Sequence, residues 1–112
     1  VAPDACVLAA LPATDTVKEA DGPRVSRTLD RSRIVLAQTP QVFPRKALEA
    51  MHAADWSDRT PTDEASMAEL TGWPVRWVRG ADMNRKVTGS ADLAWAAWMA
   101  QRLEAGETLP DA

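Results

Sequence analysis

Residues 28–43 read Thr28-Leu29-Asp30-Arg31-Ser32-Arg33-Ile34-Val35-Leu36-Ala37-Gln38-Thr39-Pro40-Gln41-Val42-Phe43, and the rest of the chain is read outward from them. A basic pair, Arg31 and Arg33, precedes the short apolar run Ile34 to Ala37, which gives way to the polar group Gln38-Thr39-Pro40-Gln41. Four apolar residues between polar ones fit a short buried strand. Proline disfavours the helical region for the residue before it, so Thr39 is expected to be extended with its hydroxyl at the strand end. The pattern is strand followed by working loop. In α/β sheets, ligands bind at loops leaving the carboxyl ends of strands.

Upstream, residues 5–11 are apolar without alternation. Such a run reads as a strand buried on both faces, as in a parallel sheet, although periodicity alone does not separate it from a helix. A strand of this kind needs neighbours on both sides, and the chain opens on it almost at once, so the chain is expected to start in the middle of a domain. Residues 13–33 differ in character. Two β-rich runs flank Asp21-Gly22-Pro23 and predict a hairpin with few core residues. A lone hairpin is marginal in water, so this arm is expected to pack against something else.

Downstream, Pro44 suits a first helical position, and Ala47, Leu48, Met51 and Ala54 recur on one face. A second helix is expected from about Thr60 to Thr71, with acids in its first turn and a stop at Gly72. Residues 75–78 predict a strand, and residues 85–87 another short one. Ser90 is placed to cap a last helix ending before Gly106. Its apolar stripe, Leu93, Ala96, Ala97, Ala100 and Leu103, widened by Trp95, Trp98 and Met99, predicts packing on more than one side. The tail, residues 107–112, is expected to fray. Strand and helical patterns alternate from Ile34 on, which favours an α/β fold.

Composition excludes several classes. A chain of 112 residues with 26% charged residues and a net charge of -3 has no basic excess to attract nucleic acid. The cluster Arg24, Arg27, Arg31 and Arg33 is interleaved with acids. Cys6 is the single cysteine, which excludes an internal disulfide and fits a small core residue. His52 is the single histidine, so neither a zinc site nor a nucleophile triad can be assembled from the pattern. No apolar stretch is long enough to span a bilayer and no basic leader opens the chain, so the expected compartment is the cytoplasm. The glycines are isolated from one another, and no phosphate-cradling loop is present.

Several short motifs occur in order: Asp30-Arg31, Gln38-Thr39-Pro40-Gln41-Val42-Phe43, Thr62-Asp63-Glu64-Ala65-Ser66, and Asn84-Arg85-Lys86-Val87-Thr88 followed by Asp92-Leu93. With Leu11-Pro12-Ala13-Thr14-Asp15-Thr16-Val17-Lys18 upstream, the series resembles the 2-C-methyl-D-erythritol 4-phosphate cytidylyltransferase family. The resemblance runs over roughly residues 7–103 but covers only the carboxyl-terminal half of that family's domain. It implies a Rossmann-like nucleotidyltransferase domain, of which residues 1–112 are the carboxyl-terminal part. It also implies that residues 13–33 form a β-arm reaching over a second subunit, giving a homodimer. The implied reaction moves CMP from CTP to a sugar-alcohol phosphate with Mg²⁺, whose main ligand lies in the missing amino-terminal half. Neither nucleic acid nor membrane is an implied partner.

The resemblance assigns roles residue by residue, each against a simpler reading. Lys86 would approach the nucleotide phosphates as a catalytic and nucleotide-binding residue, where a compact ammonium can offset developing charge; the simpler reading is a solvated lysine. The family often has an acid or small polar residue before the asparagine, whereas here Met83 stands there with Asp82 before it. Arg31 would hold the acceptor's phosphate through its planar, paired donors; otherwise it forms a surface ion pair with Asp30. Thr39 would contact the acceptor, or only cap a turn. Thr62 would do the same if Thr60 caps the second helix; otherwise Thr62 is the cap. Thr16 would face the partner's acceptor site from the arm. Two alternatives stand beside this reading: a sibling ribitol 5-phosphate cytidylyltransferase, and an inactive fragment that dimerises without binding nucleotide.

Overall fold

The computed structural model describes residues 4–108. The chain divides into two compact units, residues up to Arg79 and residues from Gly80 on. The first is built on strand β1 (Cys6–Pro12), which lies between β4 (Val35–Val42) and β5 (Val75–Arg79) in a three-stranded sheet ordered β4-β1-β5. Pairing is parallel to β5 but antiparallel to β4, so the sheet is mixed rather than parallel. An unbroken apolar run reports burial of a strand and says nothing about the direction of its neighbours. The α/β fold class stands.

Helices α1 (Arg45–Ala53) and α2 (Glu64–Leu70) supply the rest of this core. Cys6 packs with Ala47, Met51 and Ala68, bordered by Phe43, Trp56, Met67, Trp73 and Val75. Leu8 and Ala10 meet Ala65, bordered by Val35 and Val75. Alternate β1 residues thus face the helices, as a pleated strand requires. The core is made largely of small side chains, which lets the helices approach closely. Burial pushes the Cys6 thiol pKa up, as expected for an inert core cysteine. Leu48 is exposed, so the α1 stripe is narrower than its periodicity predicted.

Residues 34–41 differ from expectation. The strand begins at Val35 and runs on through the polar group to Val42, and Leu36 is 55% exposed, so among the described residues β4 lies at the edge of the sheet and is not buried on both faces. Leu8 pairs with Gln41 and Ala10 with Ala37, leaving Ala9 opposite Gln38, Thr39 and Pro40 together. The expected loop is therefore a bulge inside a strand. A bulge accommodates Pro40, which has no N–H to give a ladder.

The arm is a separate two-stranded sheet of β2 (Lys18–Asp21) and β3 (Arg24–Thr28). Gly22 takes a φ of 57°, the left-handed geometry that a two-residue hairpin turn asks of glycine. Every residue of both strands is exposed. Its cohesion comes from cross-strand pairs, Arg27 to Glu19 at 2.9 Å and Lys18 Nζ donating to Thr28 Oγ1 at 2.7 Å, which contribute little in water.

In the second unit, α3 (Ser90–Glu104) follows an irregular segment; the strand expected at residues 85–87 does not form, because the segment is drawn to the helix start instead. Leu93, Trp98 and Leu103 are exposed while Met99 is buried, so much of the apolar stripe is open among the described residues. Helices α2 and α3 both end in paired backbone bonds around a left-handed glycine. Trp73 N–H donates to Ala68 O and Gly72 N–H to Glu69 O, and Glu107 N–H and Gly106 N–H repeat this to Arg102 O and Leu103 O. Of the tail expected to fray, residues 109–112 lie outside the described residues. No described helix is long and apolar enough to cross a membrane.

Candidate active site

The base of the arm is built around Arg31. Asp30 caps the short 3-10 turn Arg31–Arg33, accepting from Ser32 N–H at 3.1 Å and Ser32 Oγ at 2.6 Å. These bonds, the hydroxyl's first, hold the Asp30 carboxyl below its usual pKa. Arg31 does not pair with Asp30; its Nη1 donates to the Thr14 carbonyl at 2.6 Å. Ala13 N–H donates to Ile34 O and Leu29 N–H to Val17 O. The strands entering and leaving the arm are thereby tied together on both sides of Thr16, which is exposed. Arg31 keeps its remaining donors without a partner among the described residues.

The bulge and the start of α2 form a second locality. Asp63, not Thr60 or Thr62, caps α2: its Oδ1 accepts from Ser66 N–H at 2.7 Å, and Ser66 Oγ accepts from the Asp63 and Thr62 amides. The sequence signal for this capping box is Asp63-x-x-Ser66, an acid and a hydroxyl three residues apart. Partial burial pushes the Asp63 carboxyl up, yet the bonds from Ser66 N–H, Gln41 and the Ser66 side chain outweigh this and hold its pKa low. Gln41 completes the locality. Its Nε2 donates to Asp63 Oδ2 at 3.0 Å while its Oε1 accepts from Ala65 N–H at 3.0 Å. One side chain thus binds the Thr39 segment to the Thr62 segment, and the Thr62 hydroxyl is left out of the cap. Thr39 and Thr62 are both exposed.

In the second unit, Asp92 organises the segment that carries Lys86. Its Oδ2 accepts from Thr88 Oγ1 at 2.9 Å, Thr88 N–H at 3.2 Å and Gly89 N–H at 3.3 Å. Gly89, not Ser90, is the N-cap residue. Asp92 Oδ1 accepts from Arg85 Nη2 at 3.0 Å, and the Arg85 guanidinium lies 4.6 Å over the Trp95 ring. Lys86 is exposed and has no hydrogen bond or ion pair among the described residues. A hollow of about 320 Å³ bordered by Met83, Trp95, Trp98, Met99, Arg102, Glu107 and Thr108 lies on this unit; it includes none of the residues expected to bind substrate. Among the described residues no group of three or more acidic, histidine or cysteine side chains could hold a metal ion.

A mixed sheet backed by helices, with an exposed arm at one margin, defines the class: an α/β domain of the nucleotidyltransferase kind. Solved structures share it. The 2-C-methyl-D-erythritol 4-phosphate cytidylyltransferase of Thermus thermophilus superimposes with a TM-score of 0.72 at 30% identity, over 88% of this chain and 49% of that one. The family model described as IspD, 2-C-methyl-D-erythritol 4-phosphate cytidylyltransferase, matches residues 2–102, and the chain belongs to that family. Among curated relatives it is 50% identical over 95 residues to the bifunctional enzyme IspD/IspF of Anaeromyxobacter dehalogenans, covering 80% of this chain and 25% of that protein. It is also 50% identical over 92 residues to the 2-C-methyl-D-erythritol 4-phosphate cytidylyltransferase of Syntrophus aciditrophicus, covering 80% of this chain and 39% of that protein. The chain spans between a quarter and two-fifths of the length of these two relatives.

Proposed function

We propose that the protein transfers CMP from CTP to 2-C-methyl-D-erythritol 4-phosphate in isoprenoid precursor synthesis. A phosphate oxygen of the acceptor attacks the α-phosphorus of CTP, the bond to the β-phosphate oxygen breaks, and pyrophosphate leaves. The protein's part is positioning and charge stabilisation. The observation that carries the reading is the state of the Asn84-Arg85-Lys86-Val87-Thr88 segment: Arg85 and Thr88 are bound to Asp92, while Lys86 is held between them with its ammonium uncommitted. A lysine braced on both sides and left unpaired is suited to meet a phosphate.

In this reading Lys86 offsets charge on the nucleotide phosphates. Arg31 and Thr16 on the arm of one subunit, with Thr39 and Thr62 of the other, hold the acceptor. The homodimer forms through the arm, whose strands have no buried face of their own. Mg²⁺ accompanies CTP as cofactor. The compartment is the cytoplasm, where CTP is available.

The test is pyrophosphate release by the full-length protein with CTP and each of two acceptors, 2-C-methyl-D-erythritol 4-phosphate and ribitol 5-phosphate. Release with the first in preference to the second supports the reading. Preference for ribitol 5-phosphate, or no release with either, contradicts it.

A further inference from the structure

We infer that Gln41 is a positioning residue for the acceptor, acting through Asp63; this rests on the acceptor roles given above to Thr39 and Thr62. Gln41 stands two residues after Thr39, and Asp63 one residue after Thr62. The two segments belong to different elements, a strand bulge and a helix start. A side-chain contact holds the two together.

The Gln41 amide does so, because it presents a donor and an acceptor to two groups with fixed directions. Asp63 Oδ1 is already committed to Ser66 N–H at 2.7 Å, so its Oδ2 has one orientation, and Gln41 Nε2 meets it at 3.0 Å. Ala65 N–H belongs to the first turn of α2, where no intrahelical acceptor exists for it, and Gln41 Oε1 takes it at 3.0 Å. Nε2 also lies 3.5 Å from Gln38 O, too long for a strong bond but directed back into the bulge. Gln41 and Asp63 are half-buried, so water competes only partly for these bonds. Reversing the amide would set donor against donor at Ala65 and acceptor against acceptor at Asp63. The pair therefore admits one arrangement, and that arrangement sets Thr39 relative to Thr62.

The chemistry supplies its own control. In Gln41→Glu a second carboxylate replaces the donor facing Asp63. In Asp63→Asn the Oδ1 is still required by Ser66, so an amide nitrogen faces Gln41 Nε2. In the double variant, the amide introduced at position 63 would donate to the carboxylate introduced at position 41, whose other oxygen still accepts from Ala65 N–H, and the geometry returns.

The experiment is steady-state kinetics of the full-length protein and these three variants, varying 2-C-methyl-D-erythritol 4-phosphate and CTP separately. Each single variant is expected to raise the acceptor KM by about 10-fold to 100-fold, with the CTP KM unchanged. The double variant is expected to return the acceptor KM to within about threefold of the starting protein. Should Gln41→Glu not fold, Gln41→Met, uncharged and of similar length, carries the same KM readout. Two results overturn the inference alone: an unchanged acceptor KM in an active single variant, or a double variant no better than the singles. A wild-type protein with no turnover overturns the functional reading, and this inference with it.

Discussion

Arg85 Nη2 lies 3.0 Å from Asp92 Oδ1, and the other oxygen of the same carboxylate holds Thr88 by its hydroxyl and its amide. One acid in the first turn of α3 thus fastens the chain on both sides of Lys86. Anchoring by Asp92 and the chemistry proposed for Lys86 are separable, and they predict different phenotypes.

Lys86→Ala removes an exposed side chain without a partner among the described residues, so its effect on stability should stay within about 0.5 kcal/mol. Loss of an ammonium acting on transition-state charge should lower kcat by about 10²-fold to 10³-fold. Turnover and thermal unfolding of the same preparation check both. Asp92→Ala should instead lower Tm and lower turnover together.

The acid limb of the stability curve follows from the depressed carboxylates. The hydroxyl bond from Thr88 leads in lowering the Asp92 pKa, followed by the Thr88 and Gly89 amides. For Asp63, burial opposes the shift and its hydrogen bonds prevail. A group whose pKa is lower folded than unfolded stabilises the fold fully above its unfolded value, about 3.9 for aspartate, and loses that contribution as pH falls through the folded value. Urea unfolding should therefore show stability level above about pH 5 and falling in stronger acid. Asp92→Asn and Asp63→Asn should each shallow that fall; an acid limb unchanged in both contradicts the assignment.

Shortening the arm should change assembly before it changes fold. Replacing residues 19–27 with a short glycine-serine link removes no buried side chain. Sedimentation should shift from dimer to monomer, with little change in the far-ultraviolet spectrum beyond the lost hairpin. A dimer that survives the deletion places the interface elsewhere.

Met51 tests the core. It is 4% exposed and shares a cluster with Cys6, Ala47 and Ala68. The small neighbours cannot collapse into the space it leaves, so Met51→Ala should cost about 2–5 kcal/mol in denaturant unfolding. A cost below about 1 kcal/mol would mean this cluster is not a packed core.

What could be read from the sequence was local. The apolar run at residues 5–11 announced the central strand, Asp21-Gly22 the hairpin turn, and Gly72 and Gly106 the helix stops, because each signal lies within a few residues of its effect. The motifs that carry Thr16, Arg31, Thr39, Thr62 and Lys86 were equally visible. What tied those motifs down was not. Gln41 reaches Asp63 across 22 positions, and no periodicity encodes such a contact. Residues 38–41 read as a loop after the strand, but Ala9 lies opposite three residues of β4, and the strand absorbs Pro40 as a bulge. Residues 85–87 looked like a strand by composition; the nearby carboxylate of Asp92 drew Arg85 and Thr88 into a cap. The apolar residues of α3 predicted burial, yet Leu93 is 63% exposed, since periodicity reports which side of a helix is apolar and not whether anything covers it.

The most direct test of the central claim is ³¹P NMR of the full-length protein with 2-C-methyl-D-erythritol 4-phosphate and CTP whose α-phosphorus is marked by non-bridging ¹⁸O. The labelled phosphorus should become joined through oxygen to the acceptor's phosphorus, seen as a coupled pair, while pyrophosphate appears in equal amount. Label found only in CMP, or remaining in CTP, would contradict cytidylyl transfer to this acceptor.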